Sequence, residues 1–133
     1  MQPKEYALTQ LEGSPKLLLL PATEANRPYH AALLKRNVRN ARRIQAGRVD
    51  PQFIAEQRNE DRELYSKFVA KGWSGVTDDE GKESAFSPAE CHEFFKALPD
   101  WIFDDVRAYA MNTTNWVPEG SPTPDEVAEH SGN

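Results

Sequence analysis

The sequence contains a single cysteine, Cys91, and three histidines in 133 residues. A lone thiol cannot close an internal disulfide, and His30, His92 and His130 are scattered without the paired spacing that a zinc site requires. No metal site and no cofactor are expected, and a reducing cytoplasm is the natural setting. Long apolar runs are missing too. The longest, Leu17 to Leu20, has four leucines before Pro21 stops it, whereas a bilayer crossing takes about 20 apolar residues. The opening MQPKEYALTQ lacks the basic-then-apolar order of a secretion signal. Neither membrane crossing nor export is expected. G-x-S-x-G, P-loop and Rossmann glycine patterns are also absent, and the expectation is a protein that is not an enzyme.

Acids are missing from one stretch and concentrated in another. Ala25 to Val49 holds seven basic residues and no acid. From Asp78 to the end, thirteen acids face only Lys82, Lys96 and Arg107, a balance of 3 − 13 = −10 within a net charge of −5. Opposite fields attract and orient surfaces before contact, so a chain polarised in this way can associate head to tail with copies of itself.

The pattern of elements points to one mainly helical domain over residues 1–117, followed by a disordered acidic tail over 118–133. EYALTQL and KLLLLPA read as a short extended N-terminal pair around a bend at Gly13 and Pro15. A first helix is expected from Pro28 to about Ala46, with Leu34, Val38 and Ala41 on its inward side and Tyr29, Leu33 and Ile44 broadening it. Lys35, Arg36, Arg39, Arg42 and Arg43 fall opposite as a cationic stripe, the candidate protein-binding face. The stripe is either a solvated face or a binding one, and as a binding face it fits an acidic protein surface better than nucleic acid, because the domain is acidic overall and no helix-turn-helix or aromatic stacking platform accompanies it.

Asp50-Pro51 caps a second helix, expected to reach Lys71, with Phe53, Ile54, Gln57, Leu64, Tyr65 and Phe68 as its apolar face. Asp61 interrupts that face. Either it meets an arginine, Arg58 or one from the first helix, or the face is wide and Asp61 lies at its edge in contact with water. Ser87-Pro88-Ala89-Glu90 is a capping box that opens a third helix with Cys91, Phe94, Phe95 and Leu98 inward. Asp100 is expected to cap a fourth helix running to about Thr113 and paired tightly with the third. The tail VPEGSPTPDEVAEHSGN has too little apolar content to offset the entropy of ordering.

Residues 71–86 carry the sharper possibilities. With Gly81 at the sixth position of a calcium loop, the first falls on Val76 and the twelfth on Ser87, so both anchoring carboxylates are missing. A polar turn or small hairpin near residues 73–86 is expected instead, with Gly81 at its tip and Trp73 clamping it to the core. Cys91 and His92 are neighbours on a helix and point about 100° apart, which prevents them from acting as nucleophile and base.

Pro28-Tyr29 before a basic helix, Arg58 with Asp61 and Tyr65, and Gly72-Trp73-Ser74-Gly75-Val76 with Asp79, Gly81 and Phe86-Ser87 form a combination. It continues with Phe94-Phe95, Leu98-Pro99 and Asn115-Trp116, and resembles the tail assembly chaperones of long-tailed bacteriophages over roughly residues 20–117. The resemblance implies a small, mainly helical, non-enzymatic protein of the host cell cytoplasm that binds the tape measure protein and helps recruit tail tube subunits. The alternative is a phage nucleic-acid-binding or host-modulating protein that uses the basic helix.

Overall fold

The structure, a computed structural model, describes residues 2–117. The chain opens with strands β1 (Lys4–Ala7) and β2 (Lys16–Leu19) and runs through helices α1 (Arg27–Gln45) and α2 (Pro51–Phe68). Strand β3 (Ala70–Ser74) follows, then helices α3 (Pro88–Ala97) and α4 (Asp100–Met111) and a 3-10 turn at Thr113–Trp116. The mainly helical class with an extended N-terminal pair is therefore the observed one. The expected tail, 118–133, lies outside the described residues.

The extended pair does not stand alone. β2 is the middle strand of a three-stranded antiparallel sheet in the order β1-β2-β3, with Leu17 opposite Trp73 and Leu18 opposite Gly72. Leu17 and Leu19 are buried while Lys16 and Leu18 are exposed, the alternation of a strand with one covered face. The sequence reading ran the second helix on to Lys71; α2 in fact stops at Phe68, and the next residues fill the open edge of β2. A strand edge with unpaired amides is satisfied by whatever extended segment is nearby, and that pairing outweighs helix propensity at Ala70-Lys71.

Asn26 begins α1. Its Oδ1 accepts from Tyr29 N, and its Nδ2 donates to Pro21 O at 3.0 Å and to Phe68 O at 2.8 Å. One buried side chain thus caps α1 and ties it to the C-terminal end of α2. Asp50 caps α2 through Phe53 N at 2.8 Å, and Ser87 caps α3 through Glu90 N at 3.1 Å, both as the sequence indicated. The expected cap of α4 is different: Pro99 takes the N-cap position without a side-chain hydrogen bond, and Asp100 turns instead to two arginines of α2.

The sheet and helices close over one apolar cluster that includes Leu8, Leu17, Leu19, Tyr65, Phe95, Phe103 and Val106. Tyr65 lies edge-on to both Tyr29 and Phe103 at 5.7 Å, joining α1, α2 and α4. Phe95 and Phe103 pack at 5.2 Å between α3 and α4. The backbone of α3 runs closest to α2, so the tight pair expected between α3 and α4 is mediated by side chains over a shared α2.

Candidate functional site

Asp61 sits on the inward face of α2 and is 4% exposed. Arg36 of α1 donates to its Oδ1, and Arg107 of α4 reaches its Oδ2 at 2.8 Å. Of the two possibilities open in the sequence, a buried pair is the outcome. The arginine comes from the first helix, as one option had it, while Arg107 is an unexpected second partner. Arg58 lies elsewhere, held to Asp104 by two hydrogen bonds of 2.9 and 3.2 Å.

These contacts extend into a ladder of alternating charge. Arg107 also donates to Asp104 at 3.0 Å, Arg58 approaches Asp100 at 3.5 Å, and Arg62 donates to Asp100 at 2.9 Å. Read in order, Arg36, Asp61, Arg107, Asp104, Arg58, Asp100 and Arg62 join α1, α2 and α4 through three carboxylates and four guanidiniums. Partial burial works to raise the pKa of Asp104, but hydrogen bonds from Arg58 and Arg107 prevail and hold its carboxyl below the usual range. Arg62 has a further task. Its guanidinium donates to Phe95 O at 2.8 Å and to Leu98 O at 3.1 Å, capping the C-terminal end of α3.

The ladder sets the rotation of α1, and with it the candidate binding face. At about 100° per residue, Tyr29 and Arg36 fall within roughly 20° of one another, and Leu34 and Val38 lie roughly 160° from Arg36. Because Asp61 draws Arg36 inward, the side expected to be buried faces water: Val38 is 78% exposed and Leu34 is 50% exposed. The expected stripe is therefore corrected in two places. Arg36 is buried in the ladder, and Arg43 is half-buried on Glu56 at 2.5 Å and stacks over Phe53. Arg39 lies 3.7 Å from Glu60 but is largely exposed, while Lys35 and Arg42 pair with no carboxylate among the described residues.

A second consequence lies where α1 meets α2. Ile54, expected in the core, is half exposed, as are Ile44 and Val49. With Asn37, Phe53, Gln57 and Arg107 they line a groove of about 430 Å³. Leu34, Val38 and Ala41 continue the apolar row along α1. Lys35, Arg39 and Arg42 border this apolar surface along one side.

The segment after β3 is a structured turn. Gly75 and Gly81 both adopt positive φ, 78° and 80°, which side-chain-bearing residues rarely do. At Gly75 an added Cβ would also meet the Pro15 backbone at 3.2 Å. Asp78 Oδ1 accepts from Glu80 N at 2.9 Å and Lys82 N at 3.0 Å, and Thr77 bridges Glu83. The small hairpin is thus built around Asp78 and Gly81. Trp73 fixes it by donating from Nε1 to Ser84 O at 2.8 Å, and its ring meets Phe86 and Phe94 edge-on at 5.1 and 5.6 Å. The ring is half-buried, so Trp73→Ala is expected to cost about 2–3 kcal/mol, below the ~3–5 kcal/mol of a fully enclosed ring. Urea unfolding of the variant checks this, and an unchanged midpoint would contradict it.

Cys91 is fully buried, and burial pushes its thiol up to about 12. Such a sulfur is protonated at neutral pH and behaves as a small apolar group. Among the described residues no group of three or more histidine, cysteine or acidic side chains is arranged to hold a metal ion, and no helix is long and apolar enough to cross a membrane.

Comparison with protein families finds a match to the YdaY prophage protein over residues 24–121. That span is well over half of the chain. The chain belongs to the YdaY prophage protein family. It is accordingly a protein of bacteriophage descent. Neither curated proteins nor solved structures gave a match. The YdaY match begins at Glu24, after β2, so it takes in all four helices, β3, the complete charge ladder and the apolar α1–α2 surface, and leaves out β1 and β2. Within the YdaY region, the residues missed in the sequence were Asn26, Arg62 and Arg107. A signal for two of them was present: Arg58 and Arg62 repeat at four on α2, while Asp100, Asp104 and Arg107 repeat at four and three on α4, a complementary pair of helix faces.

Proposed function

We propose that this prophage protein is a non-enzymatic tail assembly chaperone that binds the tape measure protein and helps recruit tail tube subunits in the host cell cytoplasm. The observation that carries this reading is the apolar row Leu34, Val38, Ile44, Val49 and Ile54, left exposed on the outer side of α1 and at its junction with α2. A tape measure is a long helical chain whose own apolar stripe aggregates if uncovered, and a helix-lined apolar groove with a basic rim is suited to receive such a stripe. The charge ladder supports the reading from the other side, because it holds α1 in the rotation that turns Leu34 and Val38 outward. The likeness of the sequence to tail assembly chaperones and the prophage family agree in placing the protein in a phage.

The alternative, a nucleic-acid-binding or host-modulating protein using the basic helix, has less support, since Arg36 and Arg43 are engaged by Asp61 and Glu56. Co-expression with the tape measure protein of the same prophage tests the proposal. The parent chain is expected to keep that protein soluble and to co-purify with it. The double variant Val38→Asp and Ile54→Asp is expected to lose at least about tenfold in affinity, equivalent to ~1.4 kcal/mol, with an unchanged melting temperature. Equal capture by parent and variant would count against the apolar row. Salt-sensitive retention of the parent on DNA, without capture of the tape measure, would favour the alternative.

A further inference from the structure

The basic and acidic halves of the chain leave two surfaces on which most charges have no ion-pair partner among the described residues. One is the face of α1 that carries Lys35, Arg39 and Arg42. At about 100° per residue these three point within roughly 60° of one another; Arg42, Lys35 and Arg39 lie roughly 40°, 60° and 100° from the direction of Val38, and all three lie at least about 140° from that of Ile44. Lys35 and Arg42 have no carboxylate at ion-pair distance among the described residues, and Arg39 has only Glu60 at 3.7 Å. The other is a cavity of about 370 Å³ between the hairpin and α3, lined by Trp73, Phe94, Asp78, Asp79, Glu90 and Glu93. Asp78, Asp79 and Glu90 pair with no cation among the described residues, while Glu93 is shared with Lys96 at 2.6 Å.

We propose that these two surfaces are the halves of one interface, through which a copy of this chain inserts the Lys35–Arg39–Arg42 face of its α1 into the Trp73–Phe94 cavity of the next. Three features favour a second copy as the occupant. The charges are opposite, and Lys35 and Arg42 on one side and Asp78, Asp79 and Glu90 on the other have no ion-pair partner among the described residues, so contact between copies gains attraction without breaking a pair at those five positions. The cavity offers aromatic rings beside its carboxylates, the combination that accepts a guanidinium by stacking as well as by charge. The hairpin that holds Asp78 and Asp79 is fixed by Gly81, by the Asp78 turn and by Trp73, so the acids are placed before contact. Because the surfaces differ, the contact is head to tail and leaves one of each free at the ends of any assembly. The α1–α2 groove around Ile44, Val49 and Ile54 lies on the far side of α1 from these cations and stays open in every copy, while Val38 borders the contact. The interface does not rest on the chaperone reading.

Sedimentation velocity of the full chain over a range of concentrations tests it, in about 0.1 M and about 1 M salt, between which the screening length falls from about 10 Å to about 3 Å. The expected result is a sedimentation coefficient that rises with concentration in the lower salt and stays at the monomer value in the higher. The variant Arg39→Glu with Arg42→Glu, and separately Asp79→Lys with Glu90→Lys, are each expected to be monomeric in both. Mixing the two variants is expected to restore association, because each then meets the opposite sign. All four positions are exposed, so the variants are expected to keep the parent's circular dichroism. A parent that remains monomeric at both salts would overturn the proposal. So would association that survives either charge reversal, or that persists in high salt and is abolished by Val38→Asp, which would move the contact to the apolar row.

Discussion

Replacing Asp61 by alanine is expected to cost about 3–5 kcal/mol, because it leaves the buried Arg36 guanidinium without its counter-charge and strips Arg107 of one of its two carboxylates. Against a total stability of about 5–15 kcal/mol, that loss brings the domain close to unfolding. In a chain of this size it lowers the melting temperature by about 10–20 °C. The loss comes from stranding a charge, so it differs from removing an apolar contact. The double variant Asp61→Leu with Arg36→Met is therefore expected to regain most of the stability, since an apolar pair of similar volume replaces a buried ion pair at little cost. Thermal unfolding of the three proteins decides the matter. Equal losses in the single and double variants would show that Arg36 and Asp61 are not coupled, and the account of how α1 is oriented would fail with it.

Arg62→Ala is expected to be nearly as damaging, at about 3–4 kcal/mol. The guanidinium satisfies two carbonyls at the end of α3, bonds Asn59 at 2.8 Å and Asp100 at 2.9 Å, and lies 5.0 Å over the Phe103 ring. Leaving a buried acceptor unpaired costs about 1–3 kcal/mol, and two carbonyls are involved. Arg62→Lys preserves the charge but offers a single ammonium where a planar fork is needed, so it is expected to recover less than half of the loss. Full recovery with lysine would show that the charge alone matters and that the capping of α3 through Phe95 O and Leu98 O does not. Amide exchange near residues 95–98 gives the same answer locally, as the end of α3 is expected to fray in the alanine variant.

Both positions illustrate what a single sequence discloses. Asp50-Pro51 and Ser87-Pro88-Ala89-Glu90 announced the starts of α2 and α3 because a cap is a local event, complete within four residues. Gly81 and Trp73 were legible for the same reason: a polar turn and a large ring beside it need few distant partners. Asn26 was not, because two of its three hydrogen bonds go to Pro21 and Phe68. β3 was not, because Ala70-Lys71-Gly72 has no strong strand preference of its own and becomes a strand only beside β2.

The face of α1 was misjudged for a related cause. Periodicity identifies Leu34, Val38 and Ala41 as one stripe and the arginines as another, but the choice of which stripe turns inward depends on Asp61, twenty-five residues later than Arg36. Asp61 was recognised as anomalous on an apolar face; the consequence, that a carboxylate needing a cation would rotate a neighbouring helix, required knowing which helix was near. The candidate binding residues divide accordingly. Lys35, Arg39 and Arg42 are outward as their pattern indicated, whereas Arg36 and Arg43 have been taken up by the scaffold.

The central claim is that this prophage protein works by presenting the outer side of α1 and its junction with α2 to a helical partner. Hydrogen exchange measured by mass spectrometry on the free chain and on its complex with the tape measure protein tests that claim most directly. The account expects added protection over residues 34–54, strongest around Ile44, Val49 and Ile54. Protection confined to other segments, or exchange that does not change when the two proteins are combined, would contradict it.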